Sequence, residues 1–325
     1  MKKFTVLALL VVVIASISVA FGQQQPPNRN LPPNVPPNPH WVITKWGDLP
    51  PGMDWSTLKQ VHSVGYDPNG KGSIIVLVTG PNPSDPPVWV FGLDGKFQKA
   101  WGANLFGGPH SVNVDRFGYI WITDNVDNIV GKFTEDGKLL MMLGKKGVAG
   151  DNTSQDKFDG PSDVVVAANG DFFVTDGYRN SRIVKFDKNG KFLMIIGGTK
   201  GTAVGQFNVP HKIVLDSKGE LVVSDRVNQR IQFWTQDGKF IKQWTDLGLI
   251  FPSGLWIMPD DTLYISDTDG RSVKIVKDDK IIDSFGGFDG SRPHQITMDK
   301  NGAFYISDGP GRLVKKITRK SATRS

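Results

Sequence analysis

Apolar residues in this chain gather in short runs, rich in β-branched and aromatic side chains and parted by polar turns. Runs such as "YIWITD", "DFFVTD", "ELVVSD", "TLYISD" and "AFYISD" alternate as strands do, and each ends on aspartate. A shorter anchor precedes each of them: "PHSVNVD" from residue 109, "PSDVVVA" from 161, "PHKIVLD" from 210, "PSGLWIM" from 252 and "PHQITMD" from 293. "VHSVGYD", from residue 61, is a sixth. Further runs such as "RIVKF" and "RIQFW" follow, then Asp-Gly or Asn-Gly turns and an outer run such as "KFLMIIGG". Those turns between apolar runs are strong hairpin signals.

Self-similarity at a spacing of 41 to 52 residues decides the architecture better than local propensity does. Four antiparallel strands per unit, six units and no amphipathic helix predict an all-β chain folded as a six-bladed β-propeller over residues 41–319. The last unit stops after its third strand, "LVKKITR", while "WVITKWG" (41–47) reads as an outer strand without a blade. The N-terminal strand is therefore expected to complete the sixth blade and close the ring, which removes exposed edges.

Composition adds an address. Lys2 and Lys3 precede the apolar run "FTVLALLVVVIASISVAF", the build of a signal peptide over residues 1–22. Export to a secreted or periplasmic location is expected, with no stable membrane contact once the signal is cleaved; an uncleaved signal would anchor the chain. Residues 23–40 form a Pro/Asn-rich linker, and 320–325 a basic tail. The chain has no cysteine, which excludes thiol chemistry and cysteine-zinc sites. Its formal charge of +6 is spread singly among acidic residues, so a nucleic-acid partner is not expected.

Of five histidines, His62, His110, His211 and His294 share one register of the repeat, where the other two units carry Ser162 and Ser253. In a ring, that register faces the central axis. His110, His211 and His294 fall on alternate blades, so three imidazoles approach from about 120° apart and leave a fourth tetrahedral position open, as in a catalytic zinc site. Neutral imidazole also suits iron, copper or nickel. The plainer reading is that duplicated units inherit histidines that merely bond neighbouring blades.

The repeat as a whole resembles the NHL-repeat propellers. Three segments, "NLFGGPHSVNVDRFGYIWITD" (104–124), "VTDGYRNSRIVKF" (174–186) and "FNVPHKIVLDSKGELVVSDRVNQRIQFW" (207–234), resemble the peptidyl-α-hydroxyglycine α-amidating lyases. The resemblance implies a zinc held by His110, His211 and His294, with Tyr178 as catalytic base and Arg226 binding substrate or stabilising charge. The implied reaction splits a peptidyl-α-hydroxyglycine, made by a separate hydroxylating enzyme, into a peptide amide and glyoxylate. A lowered phenol pKa beside zinc and Arg226 would suit Tyr178 to that task. Arg179 and Arg182 are expected to face solvent and brace the turn.

The pattern departs from that family in places. Thr79 stands where an arginine is expected, and Gln295 where an aspartate holds a channel calcium, with Val64 and Val112 as the matching backbone contributors. A neutral amide is the poorer calcium ligand. His62 and Arg292 are additions beside the expected site. The alternatives to a lyase acting on a small-molecule or peptide substrate are a non-catalytic NHL propeller that binds a protein or peptide, and a calcium-dependent lactonase-like hydrolase.

Overall fold

The computed structural model describes residues 37–288 and 292–320. The predicted signal peptide, the linker up to residue 36 and the tail from 321 lie outside the described residues. Among the described residues, twenty-four strands form six four-stranded antiparallel sheets, and Trp55–Thr57 makes a short 3-10 turn.

Five sheets are simple meanders: blade 1 spans 60–101, blade 2 109–144, blade 3 161–197, blade 4 210–244 and blade 5 252–285. Blade 6 takes its three inner strands from 293–319 and its outer strand, Trp41–Trp46, from the other end of the described chain. That strand pairs antiparallel with Leu313–Arg319, from Trp41↔Arg319 to Trp46↔Val314. The ring is closed as the unfinished last unit predicts. Docking begins slightly before the strand: the Asn38 side chain donates to Asp283 Oδ1 (2.8 Å) and to the Ser284 carbonyl (3.0 Å) on blade 5.

The core lies between the blades. Six buried clusters each join two neighbours, as where Trp121 and Val130 of blade 2 meet Phe172, Val174, Val184 and Phe186 of blade 3. Every residue in the second strands of blades 2 to 6 is buried, because a sheet stands against each face. Each large apolar side chain buried there contributes roughly 1.5–3 kcal/mol over leaving it in water. The terminal aspartates of these strands are buried too, and they work structurally. Asp124 accepts the N–H groups of Gly107 (2.7 Å) and Gly108 (2.9 Å), and Asp267 those of Ile250 (3.0 Å) and Phe251 (2.7 Å). Asp176, Asp225 and Asp308 do the same for Asp159, Asn208 and Arg292, so the recurrent aspartate clamps the loop that enters the inner strand of blades 2 to 6.

Candidate metal centre and its tyrosine

A β-bulge at the same place in all six inner strands aims the register residue at the axis. In blade 2 the pairing passes from Pro109↔Asp124 to Ser111↔Thr123, so His110 has no cross-strand partner. His62, Ser162 and Ser253 are skipped in the same way. In blades 4 and 6 the skip takes two residues, His211 with Lys212 and His294 with Gln295. A bulge frees a residue from the ladder and re-aims its side chain, which is how these histidines leave the sheet plane.

His110, His211 and His294 are buried, and one ligand nitrogen from each lies within 4.8 Å of the others. Their orientation comes from the odd blades. His110 Nδ1 lies 2.7 Å from the Ser162 carbonyl, His211 Nδ1 2.9 Å from that of Ser253, and His294 Nδ1 2.7 Å from that of His62. A carbonyl only accepts, so each Nδ1 carries the proton and donates it, leaving the three Nε2 lone pairs pointing inward. Burial, first, keeps the rings neutral: it holds His110 and His211 well below the ordinary imidazole value and His294 down to about 3, with Arg226 and neighbouring imidazoles acting in the same sense. Three fixed, neutral, convergent imidazoles could hold a transition-metal ion, since outer hydrogen bonds of this kind set ligand tautomers at metal sites.

Tyr178 stands over this cluster. Its hydroxyl lies 2.7 Å from His110 Nε2 and 3.1 Å from His211 Nε2, and Arg226 Nη1 approaches it at 3.5 Å. Two glycines let the turn come so close. At Gly177 an added Cβ would meet the Pro210 carbonyl of blade 4 at 2.0 Å, and at Gly160, with φ +83°, it would meet Tyr178 Cβ at 2.5 Å. The rest of the motif is bracing: Asp176 Oδ2 accepts from Asn180 (2.8 Å) and from Arg182 Nε (2.9 Å).

Arg182 does not face solvent as expected. It is fully buried, and besides Asp176 it donates to the Lys157 carbonyl at 2.7 Å, because the 152–157 loop folds over the turn. Arg179 is the outer of the two, bonded to Asp159, to the Asn125 carbonyl and to Asn128. Burial raises the Tyr178 phenol above its ordinary value and Arg226 acts against that rise; the expected lowering concerns a phenol beside a bound zinc as well as Arg226.

Arg226 is itself buried, its guanidinium 4.3 Å from the Phe251 ring centroid, with Nε unpartnered among the described residues. His62 stays outside the ligand cluster; its Nε2 meets Thr79 Oγ1 at 2.7 Å, so two of the departures from the expected pattern satisfy each other. Arg292 pairs with Asp269 at 3.7 Å. Val64 and Val112 are buried on their inner strands, and Gln295 lies next to His294 with both side-chain amide atoms unpartnered among the described residues.

A propeller with an imidazole cluster in its channel defines a class. The NHL repeat family matches residues 158–186 and 207–233. NHL repeat-containing protein 3 of Homo sapiens is 30% identical over 255 residues, 71% of this chain and 72% of that protein. The chain belongs to the NHL-repeat family. Homologues with a more particular name lie alongside. Peptidyl-glycine alpha-amidating monooxygenase B of Xenopus laevis is 33% identical over 280 residues, 79% of this chain but only 30% of that longer protein. Peptidyl-alpha-hydroxyglycine alpha-amidating lyase 1 of Drosophila melanogaster is 36% identical over 162 residues, 46% of this chain and 29% of its own length. Among solved structures, a streptogramin B lyase overlays with a TM-score of 0.60 at 15% identity, covering 86% of this chain and 98% of that one, a likeness of fold alone.

Proposed function

We propose that the chain is an exported, metal-dependent lyase-like propeller that cleaves a peptidyl-α-hydroxyglycine, or a related N-acyl hemiaminal, to an amide and glyoxylate. The observation that carries this reading is the Tyr178 hydroxyl on the Nε2 atoms of His110 and His211, with Arg226 beside it. A zinc or iron ion held by His110, His211 and His294 would supply Lewis acidity and a positive charge that acts on Tyr178 in the same sense as Arg226.

Tyr178, as phenolate, takes the proton of the substrate hydroxyl. The carbon–oxygen bond becomes a carbonyl, its new electron pair expels the amide nitrogen, and the carbon–nitrogen bond breaks. The nitrogen then receives the proton from Tyr178, so no oxidant or reductant is consumed. Arg226 favours the phenolate and pairs with the substrate carboxylate. A hydroxylating enzyme on another chain would supply the hemiaminal.

The test is metal analysis of the purified protein combined with an assay of glyoxylate released from an N-acyl-α-hydroxyglycine. Zinc or iron near one per chain with release above buffer is expected; neither metal and no release would overturn the reading. The relation to NHL repeat-containing protein 3 leaves one alternative open, a non-catalytic propeller that binds a protein or peptide partner. A metal-loaded protein without release would favour it.

A further inference from the structure

One residue further along each inner strand, the blades present Ser63, Ser111, Asp163, Lys212, Gly254 and Gln295, all buried. Asp163 is the only carboxylate among them. Its Oδ1 accepts from Ser111 Oγ (2.5 Å), from Asn113 Nδ2 (2.6 Å) and from Lys212 Nζ (3.1 Å). Its Oδ2 accepts the Ile213 N–H at 3.1 Å, and Lys212 Nζ also donates to Asn113 Oδ1 at 2.7 Å. Side chains of blades 2, 3 and 4 thus meet around one ammonium. Across the ring, blade 6 contributes at this register the neutral amide of Gln295, unpartnered among the described residues.

We propose that Lys212 is a built-in cation, doing at this level of the channel what a bound calcium would do and making the ring independent of one. Calcium takes six to eight oxygen ligands, usually including carboxylates. Here the single carboxylate already accepts four hydrogen bonds, the Asn113 oxygen accepts from Lys212, and an ammonium beside them repels a dication. The calcium ligands expected from Gln295, Val64 and Val112 therefore do not fit, for want of a free negative charge. The ammonium neutralises the buried carboxylate and bonds Asn113 and Asp163, so it fixes how blades 2, 3 and 4 meet, while the charged pair need add no net stability over two neutral partners. This inference does not rest on the proposed lyase activity and holds for an inert ring as well.

The experiment compares the full-length protein as purified, Lys212→Met and the neutral double variant Lys212→Met/Asp163→Asn, by thermal unfolding and by calorimetric titration with calcium chloride. Calcium prefers oxygen ligands and leaves an imidazole site alone, so the two centres are read separately. Wild type is expected to bind no calcium saturably up to millimolar concentration and to keep its midpoint. Lys212→Met is expected to melt several degrees to roughly 10 °C lower, since one partner of a buried pair is left charged. It should also gain saturable calcium binding that raises its midpoint by roughly 5 °C at a hundredfold excess over Kd. The double variant should recover most of the lost midpoint and bind no calcium, and it carries the test if Lys212→Met does not fold. Saturable calcium binding by wild type up to millimolar concentration would overturn the proposal. So would a double variant no more stable than Lys212→Met, or a Lys212→Met that melts with wild type.

Discussion

Even and odd blades bring different atoms to the same centre. Blades 2, 4 and 6 bring imidazoles, whereas blades 3, 5 and 1 bring the backbone carbonyls that hold them, and each carbonyl belongs to the same register residue of its own blade. A sixfold repeat thereby becomes a threefold site, in which half the units are donors and half are props. The even positions give their side chains to the centre, while the odd ones give it only a carbonyl and spend their side chains on other bonds: Ser162 Oγ on the Pro210 carbonyl, Ser253 Oγ with Thr268, and the His62 ring with Thr79. A shared register is thus no evidence of a shared role.

The sharpest way to break this comparison is to remove the side chain on either kind of blade. His211→Ala is expected to abolish metal retention, because two imidazoles cannot hold zinc well in tetrahedral geometry, while His62→Ala, Ser162→Ala and Ser253→Ala should retain it through their unchanged carbonyls. Metal content after desalting checks this. Equal loss from His62→Ala would mean that the odd blades lend side chains after all.

Next in size is the blade 3 turn, an odd blade that reaches the centre by another route. Tyr178→Phe keeps the packing and the imidazoles but removes the oxygen that meets His110 and His211, so metal should stay while glyoxylate release falls by about 10² to 10⁴. A variant as fast as wild type would remove Tyr178 from the chemistry.

Within that same turn the two arginines should part company. Arg182→Ala leaves Asp176 charged and buried and should cost roughly 3–5 kcal/mol, read from denaturant midpoints. Arg179, partly exposed, should cost about 1 kcal/mol or less on the same change.

What the sequence makes legible is whatever repeats as identity. The six anchors, the unfinished last unit and the histidines on alternate blades are written in letters, and so were open to reading. The carbonyls that orient the imidazoles are not, since every residue type carries one. Nor are the bulges, which are a property of pairing: "PHS" and "PSD" look alike whether or not a residue is skipped. The burial of Arg182 depends on the 152–157 loop closing over it, and the Lys212–Asp163 pair on two blades meeting, so neither appears in the spacing of its own segment. The desolvation of the Tyr178 phenol is hidden for a related reason, as charge can be counted along a chain but burial cannot.

The smallest effect tests the odd blades most finely. His62 uses its carbonyl for His294, and its ring is occupied separately by the Thr79 hydroxyl at 2.7 Å. If these two functions are independent, Thr79→Val should cost only the side-chain hydrogen bond, about 1 kcal/mol, because His62 is partly exposed and water can replace the lost partner. The midpoint should then drop by roughly 2–4 °C while metal content and the rate of glyoxylate release stay at wild-type levels. Should metal be lost as well, the His62 ring would be bracing its own carbonyl, and the division between donor and prop would run through the side chain of blade 1 instead of stopping at its backbone.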